Sequence, residues 1–113
     1  MDASSHEQST LIRDMNDAFR RTFAGGLVMT TQGVRDLPND RQRQLLQALR
    51  SFNEFSEDND PYGEHDFGAV TVGDDRFFWK IDYYDTDLAG HSPDATDPAV
   101  TRRVMTLMRA DEY

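Results

Sequence analysis

The sequence predicts an α+β fold: a small, mainly antiparallel three-stranded sheet with about three helices packed on one side, in the order α-β-α-β-β-α. Three observations lead there. Apolar residues recur at helical spacing in Leu11–Phe23, in Leu45–Phe52 and in Val100–Met108. Arg76–Tyr84 alternates in the manner of a half-buried strand, and Gly73-Asp74-Asp75 separates it from a second strand-like run as a hairpin turn. At 113 residues the chain can bury one core but not two. Residues 9–113 read as a single globular domain behind a flexible N-terminus, residues 1–8.

The first helix carries Leu11, Ile12, Met15, Phe19 and Phe23 on one face and Arg13, Asp17, Arg20 and Arg21 on the other. Ser9 or Thr10 can cap it, and Gly25-Gly26 supplies the left-handed turn that ends it. Gly26–Thr31 follows as a strand whose Leu27, Val28 and Met29 suit a central position, and Gln32-Gly33 reads as a turn. A second helix opens near Pro38-Asn39, where Asn39 with Gln42 resembles a capping box, and buries Leu45, Leu46, Leu49 and Phe52.

Phe67–Val72 and Arg76–Tyr84 form the hairpin. Phe77, Trp79, Ile81 and Tyr83 share its core face, leaving Phe78, Lys80, Asp82 and Tyr84 on the other. Asp85–Thr96 is a polar, turn-rich connection. Asp97-Pro98 then has the form of an N-cap and first turn, opening a third helix with Val100, Val104, Leu107 and Met108 buried.

The net charge of −9 is concentrated in the middle of the chain. Residues 1–52 hold seven Arg against six acids, and residues 101–113 hold three Arg against two. Residues 53–100 hold thirteen acids against only Arg76 and Lys80. Such a field attracts cations or basic protein surfaces and opposes direct nucleic-acid binding, whose phosphate contacts need the opposite sign. There is no cysteine, which removes disulfides, thiolate zinc sites and a Cys nucleophile together. Met1–Thr10 is polar without the apolar stretch of a secretory signal, and no apolar run approaches a membrane span. A soluble, cytoplasmic protein is expected.

The densest part of the acidic region is Glu57-Asp58-Asn59-Asp60-Pro61-Tyr62-Gly63-Glu64-His65-Asp66. Glu57, Asp58, Asp60, Tyr62, Glu64, His65 and Asp66, together with Asp82, are the candidate binding residues. Asp58, Asp60 and Gly63 match positions one, three and six of an EF-hand loop. Tyr62 and Ala69, however, occupy its fifth and twelfth positions, so the bidentate carboxylate is missing. A looser hard-cation site could draw on Asp58, Asp60, Glu64 and Asp66. Against it stands a solvated loop whose Asx side chains cap their own turns, and no cofactor is expected. His65 could join His91 at a transition metal, although nothing in the spacing brings the two loops together.

Lys80 is the only lysine, with Asp82 and Tyr84 on its face of the strand. A salt bridge from Lys80 to Asp82 or into the acidic loop is its structural role. Acid–base chemistry by His65, Lys80 and Tyr84 is the catalytic alternative. Restriction-type nuclease chemistry fails because Phe78 stands where the second metal ligand belongs. A nucleophile elbow and a phosphate loop are both missing. The pairs Arg20-Arg21 and Arg102-Arg103 read as helix-surface charges offsetting the acidic loop.

Several blocks occur in order: Asn16-Asp17-Ala18-Phe19-Arg20, Thr31-Gln32-Gly33-Val34, the acidic run through Phe67-Gly68, Trp79–Asp85, Asp97–Val104 and Ala110-Asp111-Glu112-Tyr113. Over roughly residues 11–113 the chain resembles a family of short bacterial proteins catalogued as a domain of unknown function, often carried on plasmids or in mobile regions. The resemblance implies a bacterial, intracellular, stand-alone domain with genetic conflict or plasmid maintenance as background. It carries no activity and no catalytic residue. From residues and resemblance together the expected function is a protein–protein interaction module or inhibitor, in one form a nucleic-acid mimic, whose acidic centre engages a basic partner. The alternative is a metal-assisted or acid–base hydrolase centred on the acidic loop and Lys80. A homo-oligomer pairing Arg-rich helices with a neighbour's acidic loops is a third arrangement.

Overall fold

The computed structural model describes residues 3–113. A long helix α1 (Ala3–Thr22) is followed by strand β1 (Gly26–Thr30), a single-turn helix α2 (Gln32–Arg35) and helix α3 (Asn39–Arg50). Strands β2 (Phe67–Val72), β3 (Asp75–Tyr84) and β4 (Arg102–Arg109) complete the chain with a closing 3-10 turn, Ala110–Glu112. Met1 and Asp2, part of the expected flexible segment, lie outside the described residues. Ala3–Gln8 continue α1, so that helix starts earlier than Ser9 or Thr10.

The sheet has four strands, not three, and it is mixed. Its order is β1-β4-β3-β2, with β1 parallel to β4 and the other pairs antiparallel. The expected third helix is the source of the error, because its residues form β4. Arg103, Val104, Met105, Leu107 and Met108 are all buried, since β4 lies between β1 and β3 and is covered on both faces. A strand buried on both sides loses its alternation, and a short apolar run of that kind is indistinguishable by period from a buried helix. Asp97-Pro98, the apparent cap, instead closes a turn: the Asp97 carboxylate accepts from Ala99 N at 2.9 Å, and Val100 N donates to Asp97 O at 3.2 Å.

Two smaller expectations also change. β1 is an edge strand, with Leu27 and Met29 about half exposed, and Gln32-Gly33 opens α2 rather than a turn. Gln42 forms no capping box; its Nε2 donates to Arg35 O and Leu37 O, tying α3 to the preceding loop.

Other elements form as their residues dictate. The hairpin closes through Gly73-Asp74, with Val72 opposite Asp75 and Gly73 at φ 61°. Phe77, Trp79 and Ile81 of β3 face the helices and pack with Phe19, Val34, Leu45, Leu49, Phe52, Met105 and Leu107. Trp79 lies flat over Gly68 of β2, where a Cβ would come within 2.5 Å of its ring nitrogen. Phe78, Lys80, Asp82 and Tyr84 occupy the opposite face, as alternation requires. None of the described helices is long and apolar enough to cross a membrane.

Candidate functional site

The chemistry of the chain gathers where α1 crosses the helix-side face of β3 and β4. Three polar residues of α1 point inward. Asn16 and Arg20 are buried, at 0 % and 1 % exposed, and Asp17 is half-buried beside them. They interrupt the apolar stripe of Ile12 and Phe19, and tertiary partners compensate for their burial.

Asn16 is the hub. Its Nδ2 donates to Tyr83 Oη at 2.7 Å and to Glu64 O at 3.0 Å, while its Oδ1 accepts from Arg103 Nε at 2.9 Å. The Tyr83 hydroxyl donates onward to Glu64 Oε1 at 3.1 Å. One amide thereby joins the helix, the acidic loop and both central strands. Arg20 donates to Asp17 Oδ1 at 2.8 Å and to Phe52 O at 3.1 Å, with its guanidinium against the rings of Phe55 and Trp79. Arg20 and Arg103 are therefore interior residues, and Arg102 and Arg103 lie on a strand; of the two arginine pairs only Arg21 is the helix-surface charge expected.

The acidic loop folds back onto this network. Asn59 accepts from Ser56 N and donates to Glu54 O. The Asp60 carboxylate, almost fully buried, accepts from Glu64 N at 3.2 Å and from His65 N at 3.2 Å. Asx side chains closing their own turns are what the composition of this loop favours. His65 sits in the left-handed region at φ 55°, uncommon for a residue with a side chain. Three contacts hold it there. Its Nδ1 is 2.9 Å from Asp17 Oδ1, its Nε2 is 3.6 Å from Asp60 Oδ2, and its ring stacks on Phe55 at 3.7 Å with 3° between the planes.

Electrostatics follow from burial and crowding. Burial works to raise the Asp17 carboxyl, but hydrogen bonds from His65 and Arg20 outweigh it and hold the group below the ordinary carboxylate range. Asp66 goes the other way. Burial, then repulsion from Glu64, Asp60 and Asp82, pushes its pKa up to about 6. Burial also raises the Tyr83 phenol and lowers the Arg103 guanidinium.

Asp66 makes stability pH-dependent. An unfolded aspartate ionises near 3.8, so between there and about 6 the folded protein keeps a proton that the unfolded chain has lost. The contribution of Asp66 is complete below 3.8 and lost as pH rises through about 6. Asp66→Asn is expected to raise the melting temperature at neutral pH by about 4 °C, or about 1 kcal/mol after allowance for solvent screening. It should have little effect near pH 4. A thermal melt series from pH 4 to pH 7.5 checks both, and a variant less stable than the parent at neutral pH would remove the account.

Of the residues singled out in the sequence, Asp60, Glu64, His65 and Asp66 come together on the helix side of the sheet. Glu57, Asp58 and Tyr62 do not join them; they are exposed on the outside of the loop, Tyr62 at 80 %. Lys80, Asp82 and Tyr84 belong to the opposite face of β3. Lys80 pairs with Asp82 at 3.4 Å, both partly exposed, which is the ion pair expected for it. The sheet thus separates Lys80 from His65. Removing so exposed a pair by Lys80→Met is expected to cost under about 0.5 kcal/mol in urea denaturation. His91 bridges to Tyr84 beyond the end of β3.

Among the described residues no group of three or more His and acidic side chains could hold a metal ion. Clefts of about 450, 350 and 300 Å³ are lined by none of Asp60, Glu64, His65 and Asp66, although Arg103 borders the first. Asn16, Asp17, Arg20, Phe55, Tyr83 and Arg103 were missed in the sequence. The available signal was a pair of polar residues, Asn16 and Arg20, set four apart within the apolar stripe of α1.

Fold and site together define a small α+β domain built around a buried polar network. The chain belongs to the family described as "Protein of unknown function (DUF3768)", whose profile matches residues 30–112. That span takes in the acidic loop, Tyr83 and Arg103, whereas Asn16, Asp17 and Arg20 precede it. No match was found among curated proteins or among solved structures.

Proposed function

We propose that the protein is an interaction module whose acidic loop engages a basic protein partner. One observation carries this: the loop is braced from inside while Glu57, Asp58 and Tyr62 project from it into solvent. Asp60, Asn59, Glu64 and His65 are spent on holding the loop, so its outer residues are presented without an ordering cost at binding. An exposed tyrosine among carboxylates suits a cationic surface, since it adds contact area at low conformational cost. In its more specific form the loop occupies the cationic groove of a DNA-acting enzyme as a nucleic-acid mimic. We further infer a bacterial, cytoplasmic setting on plasmids or other mobile regions, where such an inhibitor has a use.

The full chain, immobilised at low salt, is expected to retain a basic or DNA-binding protein from bacterial lysate and to release it as salt rises. The triple variant Glu57→Gln, Asp58→Asn, Tyr62→Ala should bind that protein at least tenfold more weakly with an unchanged melting temperature. Capture that is insensitive to these substitutions would remove the loop from the interface.

Acid–base catalysis has one observation in its favour, the Asp17–His65 pair beside an Asp66 that protonates near pH 6. In that form the centre excludes Lys80, which the sheet holds on its other side. Melting with and without magnesium, calcium, manganese or zinc tests the metal-assisted branch, which requires a stabilising shift.

A further inference from the structure

The outer side of β1 is open. β1 ends the sheet order β1-β4-β3-β2, so one side pairs with β4 and no described strand pairs with the other. Thr31 N donates to Leu107 O at 3.1 Å, which fixes the phase of this parallel ladder. Leu27 and Met29 therefore turn their N–H and C=O groups toward β4, and Gly26, Val28 and Thr30 turn theirs outward. Side chains alternate as well. Val28 packs on the core, while Leu27 and Met29 stand about half exposed on the opposite face of the sheet.

We propose that two copies of this chain pair through β1, antiparallel about a two-fold axis at Val28, joining their sheets into one.

The register is the reason. A two-fold antiparallel pair needs outward-bonding positions symmetric about its centre. Gly26, Val28 and Thr30 meet that condition: Val28 faces Val28 of the second copy, and Gly26 faces Thr30. Positions so matched exchange their backbone N–H and C=O bonds. Leu27 of each copy then lies opposite Met29 of the other, in the closely spaced positions between hydrogen-bonded pairs. The two half-exposed side chains cover one another.

Composition and charge agree. Open edges are ordinarily guarded by lysine, proline or a bulge. Gly26-Leu27-Val28-Met29-Thr30 has no charge and no proline, and its register with β4 is unbroken. The opposite edge, β2, is flanked by residues 51–54, which line one cleft with Ala69, Val70 and Thr71. Two chains of net charge −9 repel one another least where acids are few. The acidic loop leads into β2, and β3 and β4 stand between that strand and β1. The pairing is independent of binding by the loop, since none of Glu57, Asp58 or Tyr62 belongs to β1.

The test is analytical ultracentrifugation of the full chain over a concentration series, with amide hydrogen exchange followed by NMR. Expected is a reversible equilibrium between 13.0 kDa and twice that mass, which rising salt does not dissolve because β1 carries no charge. The Val28 and Thr30 amides should exchange more slowly as concentration rises, whereas those of Leu27 and Met29, bonded to β4, stay protected throughout. Leu27→Lys and Met29→Glu alter exposed side chains and should each leave the melting temperature of the dilute chain unchanged. Each is expected to weaken the dimer by about tenfold or more. Combined in one chain, they set a lysine opposite a glutamate of the second copy and should recover most of that loss. The proposal is overturned if the chain stays at 13.0 kDa up to about 1 mM, which leaves the edge to a strand of some other protein. It is overturned equally if the dimer survives both single substitutions, if the double variant pairs no better than the singles, or if salt dissolves it.

Discussion

Replacing Asn16 with leucine is expected to destabilise the protein by about 4 kcal/mol, although the two side chains are similar in size. The amide makes three hydrogen bonds from a fully buried position, to Tyr83 Oη, to Glu64 O and from Arg103 Nε. Leucine returns none of them. It leaves an arginine donor facing hydrocarbon and frees the backbone of the acidic loop from α1. The loss is expected to be coupled, because the charge of Arg103 is what makes it severe. In the double variant Asn16→Leu, Arg103→Met the uncompensated cation is gone, so the combined cost should fall below the sum of the two single costs. Urea denaturation of the four proteins measures this directly. A single variant within about 1 kcal/mol of the parent, or strictly additive costs, would mean that the network is not what joins helix, loop and sheet.

Trp79→Ala should cost a similar amount, about 4 kcal/mol, by a different route. Trp79 is 1 % exposed, meets Phe52 and Phe55 edge-on at 5.6 and 6.1 Å, and has the Arg20 guanidinium against its ring. Truncation opens a cavity under Gly68 and withdraws one of the two rings that accommodate a buried cation. Phe55 is also the platform on which His65 stacks, so the damage reaches the acidic loop. Accelerated amide exchange across residues 56–66, beyond that of an equally destabilised variant elsewhere in the core, would report that link. Trp79→Phe keeps an aromatic in the layer and should cost about half as much. Equal losses for alanine and phenylalanine would place the effect outside ring packing.

How much of this was legible depends on how local each signal is. The hairpin was readable from Gly73-Asp74 and the alternation of β3 because both are set within a few residues. The stripe of α3 was readable for the same reason, and so was the ion pair of Lys80 with Asp82, two residues apart on one face. β4 was not, because its character depends on neighbours far away in the chain. Val104, Leu107 and Met108 satisfy helical spacing, and only the insertion of the segment between β1 and β3 makes it a strand. β1 shows the converse: Leu27-Val28-Met29 reads as a central strand, yet among the described residues no strand pairs with its outer side and it forms an edge.

The candidate site divides in the same way. Asp60, Glu64, His65 and Asp66 announce themselves as a dense acidic run, and the turn-capping roles of Asn59 and Asp60 follow from Asx chemistry over three to five residues. Asn16, Asp17, Arg20 and Arg103 carry no comparable mark. A polar residue on an amphipathic helix is read by default as solvent-facing, and only its partner, 32 to 87 residues distant, shows otherwise.

By itself the sequence determined the acidic middle, the α+β class, the hairpin with its core face, and the loop on which the chemistry concentrates. All of these are properties of composition or of short-range period. Tertiary structure alone decided the fourth strand and the parallel pairing of β1 with β4. It also decided the burial of two arginines and the separation of the loop into an inner half that braces and an outer half that is exposed to solvent. The reason is physical: burying a cation is prohibitive until particular acceptors and rings surround it, and those are assembled only when α1, the loop, β3 and β4 meet.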